Sequence, residues 1–174
     1  MSMRRRGLFL AAAVSGLAAM NAVAGDMSGA TVAALLREAN GTDPAARLDA
    51  TGELFRRGPA VVPQLERAGA KPMGTVSPAR GDVIYSLLSG DLGPTNVAPA
   101  TFGLHVEGNV TTNDVERMGL AHGFRLIPSA PWRPDQSPIC YVQLLPGKRL
   151  ADVLRDILTT EARVTTVNLN YVER

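Results

Sequence analysis

Two histidines, one cysteine and a pair of carboxylates one helical turn apart are the residues of this 174-residue chain that could do chemistry. Hydrolysis by a side-chain nucleophile needs a base beside it, and His105 and His122 are the only imidazoles. Neither accompanies a Gly-x-Ser-x-Gly elbow. A zinc site would need clustered ligands such as His-x-x-x-His, and that spacing is missing. Asp152 and Asp156 stand four apart on a helical pattern with Arg149 and Arg155 beside them, which reads as a solvated face rather than an acid–base pair. His122 precedes Gly123 at a predicted helix end, where an imidazolium interacts favourably with the helix dipole. Cys140, within "PICYVQLL", reads as a small buried apolar residue rather than a reactive thiol. Neither a dinucleotide fingerprint nor a phosphate loop occurs. The expectation is a non-enzymatic protein with no cofactor and no metal, so its function should lie in a binding surface.

The first 24 residues, "MSMRRRGLFLAAAVSGLAAMNAVA", run from three arginines through an apolar stretch, Leu8 to Met20, to the small-residue pattern Ala22-Val23-Ala24. That is the order of a secretory signal peptide, and the apolar run is short for a membrane span. The expected location is therefore periplasmic or extracellular, off the membrane once the signal is cleaved. Arg4, Arg5 and Arg6 lie in this segment; of 18 basic and 16 acidic residues, removing these three leaves 15 against 16, a net charge of −1. The basic excess thus belongs to the export signal, and without a basic stripe beyond it nucleic acid is not an expected partner. A single cysteine leaves packing, not disulfides, to hold an exported domain together.

Beyond the signal the hydrophobic period changes once. From residue 25 to 92 it is helical. "GATVAALLREAN" spaces Val32, Leu35 and Leu36 on one side. "TDPAARLDATGELFRRG" opens with Thr42 or Asp43 as N-cap, followed by Pro44, and closes at Gly58. "GPAVVPQLERAGAK" restarts after Pro59, and "ARGDVIYSLLSG" places Val83, Ile84, Leu87 and Leu88 on one side of a short helix. Residues 93–100 read as a linker, rich in glycine, proline and small polar residues.

From 101 to 174 strands alternate with helices. "ATFGLHVEG" is a strand, "TTNDVERMGLAHG" a capped helix, and "FRLIP" and "PICYVQLLPG" are two strands joined by the proline-rich stretch 127–138. "KRLADVLRDILTTEA" is an amphipathic helix with Leu150, Val153, Leu154, Ile157 and Leu158 inward, and "VTTVNLNYVER" is a last strand. The class is α+β: a small helical domain, then a C-terminal βαββαβ antiparallel sheet with two helices on one face, the split β-α-β or ferredoxin-like arrangement. Such a sheet leaves its other face to solvent or a partner. Alternation puts Thr101, His105, Glu107, Ile139, Tyr141, Gln143, Asn168 and Asn170 there, with Ile139 and Tyr141 as an amphipathic centre. Trp132, the only tryptophan, lies in the 127–138 loop, either folded back on the sheet or anchoring a partner.

Two resemblances sharpen these expectations. "ARLDATGELFRRGPAVVPQLERA", residues 46–68, resembles a HEAT-type repeat, two short helices turned by Gly-Pro; a generic helical bundle accounts for the same pattern. "ADVLRDILTTEARVTTVNLNYVER" resembles the end of the propeptides of subtilisin-type serine proteases and their free-standing inhibitor relatives, through Val164, Val167, Asn170 and Tyr171. That resemblance implies a ferredoxin-like domain that inhibits a subtilisin-like protease or assists its folding in trans. The open sheet face would pack on the protease, and the tail Tyr171, Val172, Glu173, Arg174 would enter its substrate cleft. The alternative is a periplasmic structural adaptor making its contact through the helical domain, around Leu54, Phe55, Arg56 and Arg57.

Overall fold

The structure, a computed structural model, describes residues 27–73, 78–92, 101–128 and 131–169. The expected signal, the 93–100 linker and the tail from Asn170 lie outside them. Helices fill the first part: α1 Val32–Ala39, α2 Pro44–Arg57, a 3₁₀ turn Gly58–Val61 running into α3 Val62–Arg67, and α4 Arg80–Ser89. The second part alternates β1 Thr101–Val106, α5 Thr112–His122, β2 Phe124–Leu126, β3 Ile139–Leu144, α6 Leu150–Thr160 and β4 Val164–Leu169. The fold is thus mixed helix and sheet, with a four-stranded antiparallel sheet in the order β2-β3-β1-β4. None of the described helices is long and apolar enough to cross a membrane.

Local sequence explains the helix starts. Asp43 accepts hydrogen bonds from the backbone N–H of Ala45 and Ala46, with Pro44 at the first position, where its missing N–H costs nothing. Thr111 and Asp114 cap α5 reciprocally: each side chain accepts the other residue's backbone N–H. The hydroxyl and backbone N–H of Thr111, then the Arg163 guanidinium, hold the Asp114 carboxyl far below the usual carboxylate range. Helix α5 closes on Gly123 at φ 92°, a left-handed conformation that glycine adopts without Cβ strain.

The sheet buries one face under α5 and α6. Phe102, Leu104 and Val106 of β1, Cys140 and Val142 of β3, and Val164, Val167 and Leu169 of β4 meet Val115 and Met118 of α5 and Val153, Leu154, Ile157 and Leu158 of α6. Phe102 and Phe124 cross edge to face at 6.0 Å. The inward side chains of α6 are nearly or fully inaccessible, and each contributes about 1.5–3 kcal/mol by leaving water.

Helix α4 joins the two parts. The spacing of its four large apolar residues predicts one inward side, but the structure divides them. Val83 and Leu87 enter the core under the sheet, while Ile84 and Leu88 enter a second core with Leu35, Ala39, Ala50, Leu54 and Leu65. Consecutive pairs can do this because neighbouring residues are about 100° apart around a helix. α2 also packs along α6, and α4 beside β4. The helical and sheet-bearing parts therefore share an apolar boundary.

That boundary contains two charges not expected inside. Arg47 and Arg80 are each 3% exposed. Arg47 donates to Gly41, Thr42 and Ala162 carbonyls and to Glu107 Oε1 at 3.3 Å. Arg80 donates to Thr51 Oγ1, to the carbonyls of Val164 (2.7 Å) and Thr165 (3.3 Å), and to that of Leu158. The β1–β4 register shifts between His105 and Val106, a bulge beside those carbonyls. Thr166 donates to Pro78 O just beyond it. Edge strand β4 is thus covered by the start of α4, and the other edge, β2, is three residues long; both arrangements limit edge-to-edge pairing.

Candidate protein-binding face

On the face opposite α5 and α6, the register sets Arg125 of β2 beside Gln143 of β3, Gln143 opposite Thr101 of β1, Tyr141 opposite Gly103, and Ile139 opposite His105. On the far side of β1, Asn168 pairs with Gly103 and Thr166 with His105. Gly103 is the low point of this surface. A Cβ there would lie 3.1 Å from Ile139 Cγ2, 3.4 Å from Tyr141 Cε1 and 3.6 Å from Asn168 Cβ. Ile139 and Tyr141 converge over it, both half-buried. Arg125 donates to Gln143 Oε1 at 3.1 Å and holds that amide at the rim.

The predicted face residues divide. Ile139, Tyr141 and Gln143 come together as expected. Asn168 is on the same face but only 8% exposed, and its Oδ1, like His105 Nε2, is buried with no hydrogen-bond partner among the described residues. Such atoms each cost about 1–3 kcal/mol in lost hydration. Burial also pushes the His105 imidazole below its ordinary pKa. Glu107 is not part of the β1 face: it follows the end of that strand and turns to Arg47. The alternation rule fails there because it holds only while the chain stays in the sheet. Asn170, Tyr171, Val172, Glu173 and Arg174 lie outside the described residues.

Trp132 is half-buried, and its indole N–H donates to Ser137 O at 2.8 Å, folding the loop on itself. Ser137 in turn exchanges hydrogen bonds with the Ile139 backbone. The result is a cleft of about 220 Å³ in which Trp132 and Gln136 face Ile139 and Tyr141. The loop thus extends the sheet face with an aromatic wall whose ring N–H is already used.

The chemically capable residues have other partners. Cys140 is inside, its thiol 3.7 Å from Leu104 O, and burial pushes its pKa up to about 12, so it holds no thiolate near neutrality. His122 has its expected place in the last turn of α5 and Asp156 its expected exposure, but the two also meet. His122 is buried, with Nδ1 2.6 Å from Asp156 Oδ2 and Nε2 2.7 Å from Glu161 Oε1, so Asp156 does not simply face solvent. Two carboxylates at those distances require both ring nitrogens to donate, which only the imidazolium does. They occupy opposite sides of the ring, and among the described residues no group of three such ligands could hold a metal. The sequence pattern missed this clamp because Glu161 follows the periodic part of α6 and His122 belongs to another helix.

Burial opposes the charged form of His122, but the hydrogen bonds to Glu161 and Asp156 outweigh it and raise the pKa. Lys148, Arg149 and Asp152 line the same recess. A raised folded-state pKa gives a stabilising contribution that is complete below the unfolded value, about 6.5, and is lost as pH climbs through the folded value. Urea midpoints should therefore fall as pH rises above about 6.5 in the native chain, and His122→Gln should remove that slope. An equal slope in both proteins would assign it elsewhere.

A second cleft, of about 390 Å³, opens where the helical part meets β4, lined by Asn40, Thr42, Arg47, Arg80, Glu107 and Thr166 among others. No local sequence pattern marks it, because its walls come from residues far apart in the chain. In comparisons with family models, curated proteins and solved structures, nothing matches this chain.

Proposed function

We propose that the chain is an exported, non-enzymatic protein-binding protein that acts through the uncovered face of its sheet, and that its partner is a subtilisin-like serine protease which it inhibits or helps to fold in trans. The observation that carries this reading is the convergence of Ile139 and Tyr141 over Gly103, beside the Trp132 cleft, on a sheet whose other face is filled by α5 and α6. Aromatic and branched side chains grouped at the centre of a patch with a polar rim, here Gln143 and Arg125, have the make-up of an interface core. The strand order β2-β3-β1-β4, with α5 and α6 as crossovers, supports the ferredoxin-like reading of this half. The Gly58-Pro59 turn between α2 and α3 supports the HEAT-like reading of the other, although α3 packs on α1 and α4 rather than along α2. For the adaptor alternative, Leu54 is fully buried, so Arg56, which is exposed and paired with Glu53, is the position to test.

Titrating the protein against an active subtilisin-type protease, with residual activity and chain integrity followed together, tests the proposal. Inhibition with the chain intact is expected. Tyr141→Ala combined with Ile139→Ala should weaken it about thirtyfold or more, as loss of a central anchor pair does. Deleting Tyr171 to Arg174 should weaken it as well. Digestion without inhibition, or inhibition indifferent to all these changes, overturns the reading.

A further inference from the structure

Asn40 and Gly41 form the only Asn-Gly pair in the chain. Such a pair carries its own chemistry. The Gly41 backbone nitrogen can attack the Asn40 side-chain amide carbon and close a succinimide ring, because glycine has no side chain to obstruct the approach. The N–Cγ bond forms as the Cγ–Nδ2 bond breaks, and ammonia leaves with the proton of the Gly41 N–H. Water then opens the ring. Hydrolysis at Cγ gives aspartate, and hydrolysis at the main-chain carbonyl of residue 40 gives isoaspartate, whose backbone runs through Cβ and Cγ.

The fold holds this pair short of reaction. Asn40 is exposed and ends α1 with ψ −2°. At that angle the Gly41 nitrogen eclipses the Asn40 nitrogen, whereas ring closure needs it on the Cβ side of the Cα–C bond. Both reacting groups are also engaged. Gly41 N–H donates to Glu38 O at 2.9 Å, and Asn40 Oδ1 accepts from Gly81 N at 2.8 Å. That second bond ties the end of α1 to the first turn of α4, and the seat is close. A Cβ on Gly81 would overlap Leu36 Cδ1 and lie 3.1 Å and 3.3 Å from the Asn40 carboxamide nitrogen and oxygen.

We propose that Asn40–Gly41 is a spontaneous modification site, closed while α4 is seated on the end of α1 and opened when that seat is lost, at which water converts Asn40 to aspartate and isoaspartate. The two products have different fates. Aspartate keeps an oxygen for the Gly81 N–H, and its charge faces the N-terminus of α4, where a carboxylate is favoured. Isoaspartate adds a carbon to the main chain at a place where Gly81 leaves no spare room, so α4 cannot return to its seat. A transient opening thereby becomes a permanent loosening of the contact between α1 and α4. The site goes beyond the protease reading and does not depend on it.

The test incubates the full protein in mildly alkaline buffer, folded and in denaturing urea. It follows the tryptic peptide Glu38–Arg47, whose native, aspartyl and isoaspartyl forms separate by chromatography. Conversion of the folded chain should be about a hundredfold slower than in urea, since ring closure must wait for local opening. Gly81→Ala, which crowds the seat, should raise the folded-state rate about tenfold. The native chain gives a second measurement that needs no variant to fold: in low urea, conversion should rise in step with hydrogen exchange of the Gly81 amide. Asn40→Asp should keep the native thermal midpoint, and the isolated isoaspartyl protein should unfold below it. Folded chain converting as fast as unfolded, or conversion in low urea that ignores Gly81 exchange, would overturn the proposal.

Discussion

Gly119→Ala should destabilise the protein, whereas Gly52→Ala should stabilise it, though both replace a mid-helix glycine by the best helix former. In an open helix the change is favourable by about 0.8–1 kcal/mol, because alanine loses less backbone freedom on folding. Gly52, in α2, has nothing within 4 Å of the place a Cβ would occupy, so it should show most of that gain. Gly119, in α5, is different. A Cβ there would lie 2.5 Å from Phe124 O and 3.3 Å from Phe124 C. Those are backbone atoms of β2, which a rotamer change cannot move. Helix α5 must back away from the strand that follows it, opening the packing around Met118 and Phe124. Overpacking of this kind costs about 1–3 kcal/mol, which exceeds the helix gain. Gly119→Val, without the propensity gain and with more volume, should cost about 3 kcal/mol or more. Urea midpoints of the three variants decide it. A stabilising Gly119→Ala would mean that α5 and β2 are not in close contact.

The close approach at Gly119 also shows what a linear reading of the chain can and cannot reach. Most helices and strands of the described residues are visible as a period, because period reflects which residues must leave water; three-residue β2 is too short for one, and the 3₁₀ turn Gly58–Val61 reads only as a helix stop and restart. The αL stop at Gly123, the Asp43-Pro44 start and the inward stripe of α6 follow from neighbours in sequence. The use of Gly119 does not: the period puts it on the inward side of α5, but only the strand against it shows why a side chain is excluded. The same holds for the site. The partition of β3 into inward Cys140 and Val142 and outward Ile139, Tyr141 and Gln143 follows from alternation, so the centre of the proposed binding face was legible. Glu107 belongs to that face by count alone, and its departure follows from the end of the strand and the pull of Arg47. The His122 clamp and the Arg47–Arg80 cleft draw on residues tens of positions apart, for which no local pattern exists. An arginine within an apolar stripe reads as a solvent-facing residue, and only the carbonyls gathered from β4 and α6 make burial tolerable.

Arg80→Met should lower stability by about 2–4 kcal/mol and should do so for the whole chain at once. Two terms oppose each other. Removing a guanidinium that is 3% exposed and repelled by Arg47 relieves a desolvated charge. It also leaves the carbonyls of Leu158, Val164 and Thr165 and the Thr51 hydroxyl without their donor, in a place water does not easily reach. Each stranded acceptor costs about 1–3 kcal/mol, so the sum outweighs the relief even when some acceptors regain water. Methionine keeps most of the side-chain volume, so the loss is not a cavity effect. Because the acceptors belong to α6 and β4 while Arg80 begins α4, and Val83 and Leu87 continue that contact into the sheet core, the damage falls on the joint and not on either part alone. Trp132 fluorescence reports the sheet-bearing part, and far-UV circular dichroism is dominated by the helices. In the native chain the two signals should follow one urea transition, and in Arg80→Met they should shift together to lower urea. An unchanged midpoint would mean that the carbonyls gain nothing from the charge. A native chain with two separate transitions would mean that α4 does not couple the cores it enters.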